Sequence, residues 1–191
     1  GYNKALEIYN GTGADIDLSA YSLSSCSNGC DTEGEWDYPD NVTFAAGTIV
    51  AAGDVYVVYH QDADPIIAAE GDQTFTYLSN GDDVFAITLA GATASSYTII
   101  DIIGEMGDDP GSGWEVAGVA DGTKDHTLVR KASVTSGNGG DWVMSAGTDA
   151  DDSEWIVYDQ DTFDYLGSHP HLMGPTLLSV EFEPMYPAPS E

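Results

Sequence analysis

Residues 3–23 constrain the fold more than any other stretch of the chain. Leu6 and Ile8 and, after a turn, Ile16 and Leu18 alternate with polar neighbours, the period of a strand with one buried face. Between them Asn10-Gly11-Thr12-Gly13 supplies residues that accept the positive φ of a tight turn. The stretch reads as strand, turn, strand, a first hairpin. The same punctuation recurs along the chain: 22 glycines stand among short apolar runs, the mark of an all-β protein with many turns. No amphipathic segment of helical period exceeds about three turns, so helices should be short.

Further strands are expected at 42–44, 55–60, 84–89, 97–104, 127–131, 141–145 and 154–158. The run at 55–60 is apolar on both faces, which predicts a central strand; 97–104 looks more fully buried than 84–89. A short helix is expected over 63–69, with Pro65 in its first turn. Residues 162–167 suggest one helical turn with Gly167 as its cap. Strands this short and frequent predict a sandwich, and 191 residues with 42% hydrophobic content are enough to fill its core.

Charge narrows the partners. Thirty-three acidic residues stand against four basic ones, a net charge of -29. Such a surface repels itself at low salt and should gather cations; it suits a saline environment. Nucleic-acid binding is disfavoured, because phosphate contacts need a basic patch and only Arg130-Lys131 resembles one. Cys26 and Cys30 flank Ser27-Asn28-Gly29, a turn that can bring them within disulfide range. No second Cys/His pair completes a zinc site, and the spacing is not C-x-x-C. A disulfide implies an oxidising, extracellular compartment. No apolar run reaches the length of a membrane span, and any secretion signal is expected to have been removed before Gly1.

Taken in order, several motifs resemble the lamin-tail domain, an immunoglobulin-like β-sandwich found in nuclear lamins and in many secreted bacterial proteins. Glu7-Ile8-Tyr9-Asn10 and Ile16-Asp17-Leu18-Ser19 open the pattern, followed by Gly53-Asp54-Val55-Tyr56-Val57-Val58, Asn80-Gly81-Asp82-Asp83 and Asp101-Ile102-Ile103-Gly104. Asp109-Pro110-Gly111-Ser112-Gly113-Trp114, Thr127-Leu128-Val129-Arg130-Lys131, Asp141-Trp142, Glu154-Trp155 and Phe163 to His169 complete it. The resemblance covers roughly 3–169 and implies one such sandwich, with 170–191 as a linker and an extra strand. In style it is similar to the lamin-tail modules of secreted bacterial endonucleases, whose catalytic centre lies in another domain.

Members of that family usually begin with one more strand before the equivalent of Asn3-Lys4-Ala5-Leu6. A comparable run stands at the other end, residues 176–184, where Leu178, Val180 and Phe182 alternate with Ser179, Glu181 and Glu183. Such a strand has one face for a core. It could enter a neighbouring copy and build a filament by strand donation, fold back into its own sandwich, or belong to a linker or a second repeat. Residues 169–175 would be the hinge.

Candidate sites are sparse. Asp101, Glu105, Asp108 and Asp109 are candidate calcium ligands, since turn loops offer hard cations carboxylates and carbonyls. Asp149, Asp151 and Asp152 form a second candidate. Both compete with the simpler reading of solvated acidic turns. No nucleophile elbow, phosphate loop or carboxylate pair in an apolar pocket points to catalysis. Trp36, Trp114, Trp142 and Trp155 offer either a polysaccharide platform or, more simply, core filling. The expectation is a secreted, non-catalytic bacterial module that self-associates through its C-terminal strand. The alternatives are an accessory module of a secreted nuclease or phosphatase, and a carbohydrate-binding module.

Overall fold

The computed structural model describes residues 1–107 and 109–169. Its strands are β1 (Ala5–Tyr9), β2 (Ile16–Asp17), β3 (Tyr21–Cys26), β4 (Tyr38–Thr43), β5 (Ile49–Val50), β6 (Val55–Tyr59), β7 (Gln73–Thr74), β8 (Val84–Leu89), β9 (Ile99–Ile103), β10 (His126–Arg130) and β11 (Trp155–Asp159). Among the described residues two short α-helices interrupt them, α1 (Pro65–Glu70) and α2 (Trp142–Ala146), together with a single 3-10 turn, Leu18–Ala20. The central sheet has the order β4-β3-β8-β9; smaller sheets are β1-β6-β7, β2-β5 and β10-β11.

The central sheet is buried on both faces, because β3 and β8 alternate between two cores. Leu23 pairs with Ile87 on one face. There they meet Ile8, Leu18, Val42, Phe44, Val50 and Val58, an aliphatic core shared with the β1-β6-β7 sheet. Cys26 pairs with Val84 on the other face, beside Ala86. Those residues meet Trp36, Val116, Trp142 and Trp155, a tryptophan-rich core closed by α2 and the β10-β11 pair. The expected sandwich is present, and the expected central strand is β6, whose Val57 and Val58 are both fully buried.

The structure revises several local expectations. The first two strands are not a hairpin: β1 pairs with β6 and β2 with β5. Asn10 explains the divergence. Its buried side chain donates to the carbonyls of Ala14, Val50 and Ala51 and accepts from the Thr12 hydroxyl. The turn therefore becomes a loop that carries the chain to another sheet. Residues 142–146 are helical, not extended. Asp141 caps the helix by accepting from the Met144 N–H, and Gly147 ends it at φ 65°. Strand β9 is an edge strand with only Ile102 fully buried, so it is less buried than β8. Residues 163–168 form successive turns rather than a helix, with Gly167 at φ 83°. Helix α1 lies where expected, capped by Asp64 and started by Pro65.

Candidate assembly site: two open sheet edges

Hydrogen-bond parity shows which side of β1 is open. His60 N–H donates to the Lys4 carbonyl (3.0 Å) and Asn10 N–H to the Asp54 carbonyl (2.9 Å). Even-numbered residues of β1 therefore bond to β6, and alternate residues turn their amides and carbonyls the other way. On that other side the backbones of Ala5 and Glu7 have no partner among the described residues. Strand β10 is similar. Lys131 N–H donates to the Glu154 carbonyl, which fixes the parity and directs the Leu128 and Arg130 backbones away from β11.

These two edges are tied together at both ends. Before β1, the Asn3 amide donates to the Asp161 carboxylate (3.0 Å), just beyond β11. At the far end the His169 ring stacks on Tyr9, with centroids 4.6 Å apart. Its Nε2 lies 3.1 Å from the Arg130 carbonyl. Because β11 is antiparallel to β10, these contacts mean that β1 and β10 run in the same direction. Unpaired edges of this kind are templates for an added strand.

A carboxylate sits beside the β1 edge. Half-buried Glu7 accepts the Gly167 N–H (2.7 Å). Its pKa is raised, first by burial and also by Glu70, against the lowering effect of the Gly167 bond. Gly167 sits at φ 83°, which favours glycine there, and a Cβ at that position would displace the end of the Glu70 side chain.

Next to this slot lies a polar node built on Arg130, the chain's one arginine. Its guanidinium reaches the Asp101 carboxylate (2.6 Å to Oδ2) and Glu154. It also lies over the Trp155 ring, 4.1 Å from the centroid. The Ser145 hydroxyl donates to Glu154 (2.8 Å) and accepts the Trp155 indole N–H (3.0 Å). Asn138 N–H donates to Asp101 (2.9 Å), and the Asn138 side chain bonds both backbone groups of Ile102. The node joins β9, β10, β11 and α2. Sequence reading missed it, although a lone arginine in so acidic a chain is a visible signal.

The candidate calcium ligands among the described residues make the following contacts. Asp101 serves Arg130, and Glu105 and Asp109 are exposed. Asp109 accepts from its own turn at Gly111 N–H (2.6 Å). Asp108 lies outside the described residues. Asp149 accepts the N–H groups of Asp151 and Asp152, and Asp152 accepts those of Thr148 and Asp149. Those bonds lower the Asp152 pKa, the Asp149 N–H foremost. Among the described residues no group of three His, Cys, Asp or Glu is placed to hold a metal. The Cys26–Cys30 disulfide is formed, with Cα atoms 4.9 Å apart. Trp36, Trp142 and Trp155 are buried and Trp114 is half-buried, so they fill the core rather than form a platform. Leu178, Val180 and Phe182 lie outside the described residues. No helix among the described residues is long and apolar enough to cross a membrane.

This architecture is an immunoglobulin-like β-sandwich. The lamin tail domain model matches residues 1–103, more than half of the chain, and the chain belongs to that family. No curated protein and no solved structure matches it.

Proposed function

We propose that the protein is a non-catalytic extracellular structural module whose copies join by strand donation, residues 176–184 of one entering the slot between β1 and β10 of the next. The observation that carries this reading is the pair of edges without a strand partner among the described residues, Ala5 and Glu7 on β1 and Leu128 on β10, with the Arg130 carbonyl met by the His169 ring at the end where the two edges are tied. A strand running antiparallel to both would satisfy both rows of backbone groups at once. Alternation in 176–184 suits it, with Leu178, Val180 and Phe182 inward beside Leu6 and Ile8. His169, at one end of the slot, starts the segment that leads to the donated strand. The disulfide suits an oxidising exterior, and cations such as calcium would screen the charge of -29 that copies bring together.

Electron microscopy and sedimentation of the protein with and without residues 176–191, in calcium-containing saline, test the reading. Ordered polymers that disappear on truncation, and that loosen when salt and calcium are withdrawn, are expected. A monodisperse monomer in both forms overturns donation between copies. If truncation lowers the melting temperature of that monomer, the strand closes its own sandwich instead.

A further inference from the structure

A cleft on the central sheet has a different chemistry from that of the slot. Its floor is a row across three strands of the central sheet: Tyr38, Ser25 and Phe85 are directly cross-strand neighbours. Tyr77 rises from the loop after β7 and forms the opposite wall. The cavity encloses about 250 Å³ and is rimmed by Ser27, Asn41 and Asp83. That volume is just below the range for drug-sized ligands, the scale of a single ring with its substituents.

Two features of the lining point to a ligand. The first is aromatic exposure. Tyr77 is 79% exposed and Tyr38 51%, yet Tyr77 is held in place: Phe75 packs edge-on against both Tyr77 and Phe85, at 6.0 and 6.5 Å between centroids. The second is uncommitted hydrogen bonding. The Asn41 side chain donates to the Ser25 hydroxyl (2.7 Å), which fixes its orientation. Its carbonyl oxygen and the hydroxyls of Tyr38, Tyr77 and Ser27 make no hydrogen bond among the described residues. Flat apolar walls flanked by outward hydroxyl and amide groups complement a sugar, which has apolar C–H faces and a hydroxyl rim.

Charge selects among sugars. Asp83 is part of the rim, and none of the four basic residues lines the cleft. A uronic acid or sulfated glycan would meet repulsion there. We infer that the Tyr38–Tyr77 cleft binds one residue of a neutral polysaccharide. This site is independent of strand donation, and its aromatic contacts are tyrosines rather than the buried tryptophans.

Isothermal titration and affinity electrophoresis of the full chain test it, with cellohexaose, laminarihexaose and mannohexaose as neutral probes and polygalacturonate as the anionic comparison. One neutral probe is expected to bind at micromolar to millimolar concentration. Tyr77→Ala and Tyr38→Ala should each weaken that binding by about tenfold with an unchanged melting temperature, since both rings are exposed. Polygalacturonate should not bind. Absence of binding by all three neutral probes overturns the inference, as does binding that survives both substitutions or equal binding of polygalacturonate.

Discussion

The two faces of the central sheet are buried by different means. The aliphatic face is closed entirely by residues within the family match, Ile8 to Val58, and side-chain polar contacts at its centre are few. The opposite face is closed largely by residues beyond that match: Val116, Trp142, Ala146 and Trp155. It adds a disulfide, a guanidinium and a serine–indole bond. An aliphatic core gains from area and close packing alone. A tryptophan-rich core with a polar node gains area too, but its buried polar atoms cost stability unless paired: the Trp155 N–H is paired with Ser145, while the Trp36 N–H has no partner among the described residues. The first is tolerant of detail and the second is specific, so damage should propagate differently.

The largest effect is expected at Trp155. Trp155→Ala removes a nearly buried indole, its bond to Ser145 and the surface under Arg130, and should cost about 4 kcal/mol. Hydrogen exchange should then show β10 and β11 losing protection while the β1–β6 pair keeps it. Equal loss in both would mean that the two cores unfold as one unit. Leu23→Ala comes next, at about 3 kcal/mol in urea denaturation. Because β3 also carries Cys26 in the other core, this substitution should lower protection on both faces, the reverse of the Trp155 pattern.

Cys26→Ser with Cys30→Ser should cost less, about 2 kcal/mol, since the loop it closes is short. The comparison is sharpened by its location. Cys26 belongs to the tryptophan-rich core, so the exposed interval should lie at residues 26–37 and α2, leaving the aliphatic core unchanged. Loss of protection in β1 or β6 would contradict the separation of the cores.

The contrast also explains what was legible in the sequence. Strands of the aliphatic half announce themselves by alternation, as Leu6 and Ile8 or Phe85 and Ile87 do, and the disulfide follows from a short Asn-Gly turn. Pairing partners are not local, so nothing in residues 3–23 reveals that β1 joins β6 instead of β2. Residues 141–145 carry two β-formers and look extended; the Asp141 cap and Gly147 stop that define α2 were the overlooked signal. Asp101 looks like a cation ligand until the fold sets it against Arg130, 29 residues away in sequence. Of the proposed assembly site, the alternating run at 176–184 is visible in the sequence, whereas the edges of β1 and β10 that lack a partner strand among the described residues emerge only from hydrogen-bond parity.

The smallest effect is expected at Glu7, where the aliphatic half carries a half-buried charge of its own. Its folded-state pKa lies above the ordinary 4.5, chiefly through burial. A carboxyl raised in this way contributes stability that is fully present below the unfolded pKa and is lost as pH rises through the folded value. At neutral pH the ionised group is therefore a small liability. Glu7→Gln keeps an oxygen acceptor for the Gly167 N–H and removes the charge beside Glu70. It should raise stability at pH 7 by less than about 1 kcal/mol and change nothing at pH 4. Melting curves at the two pH values check the sign: destabilisation at pH 7 would mean that the charge-assisted bond to Gly167 outweighs burial, and that this edge is held by its carboxylate rather than in spite of it.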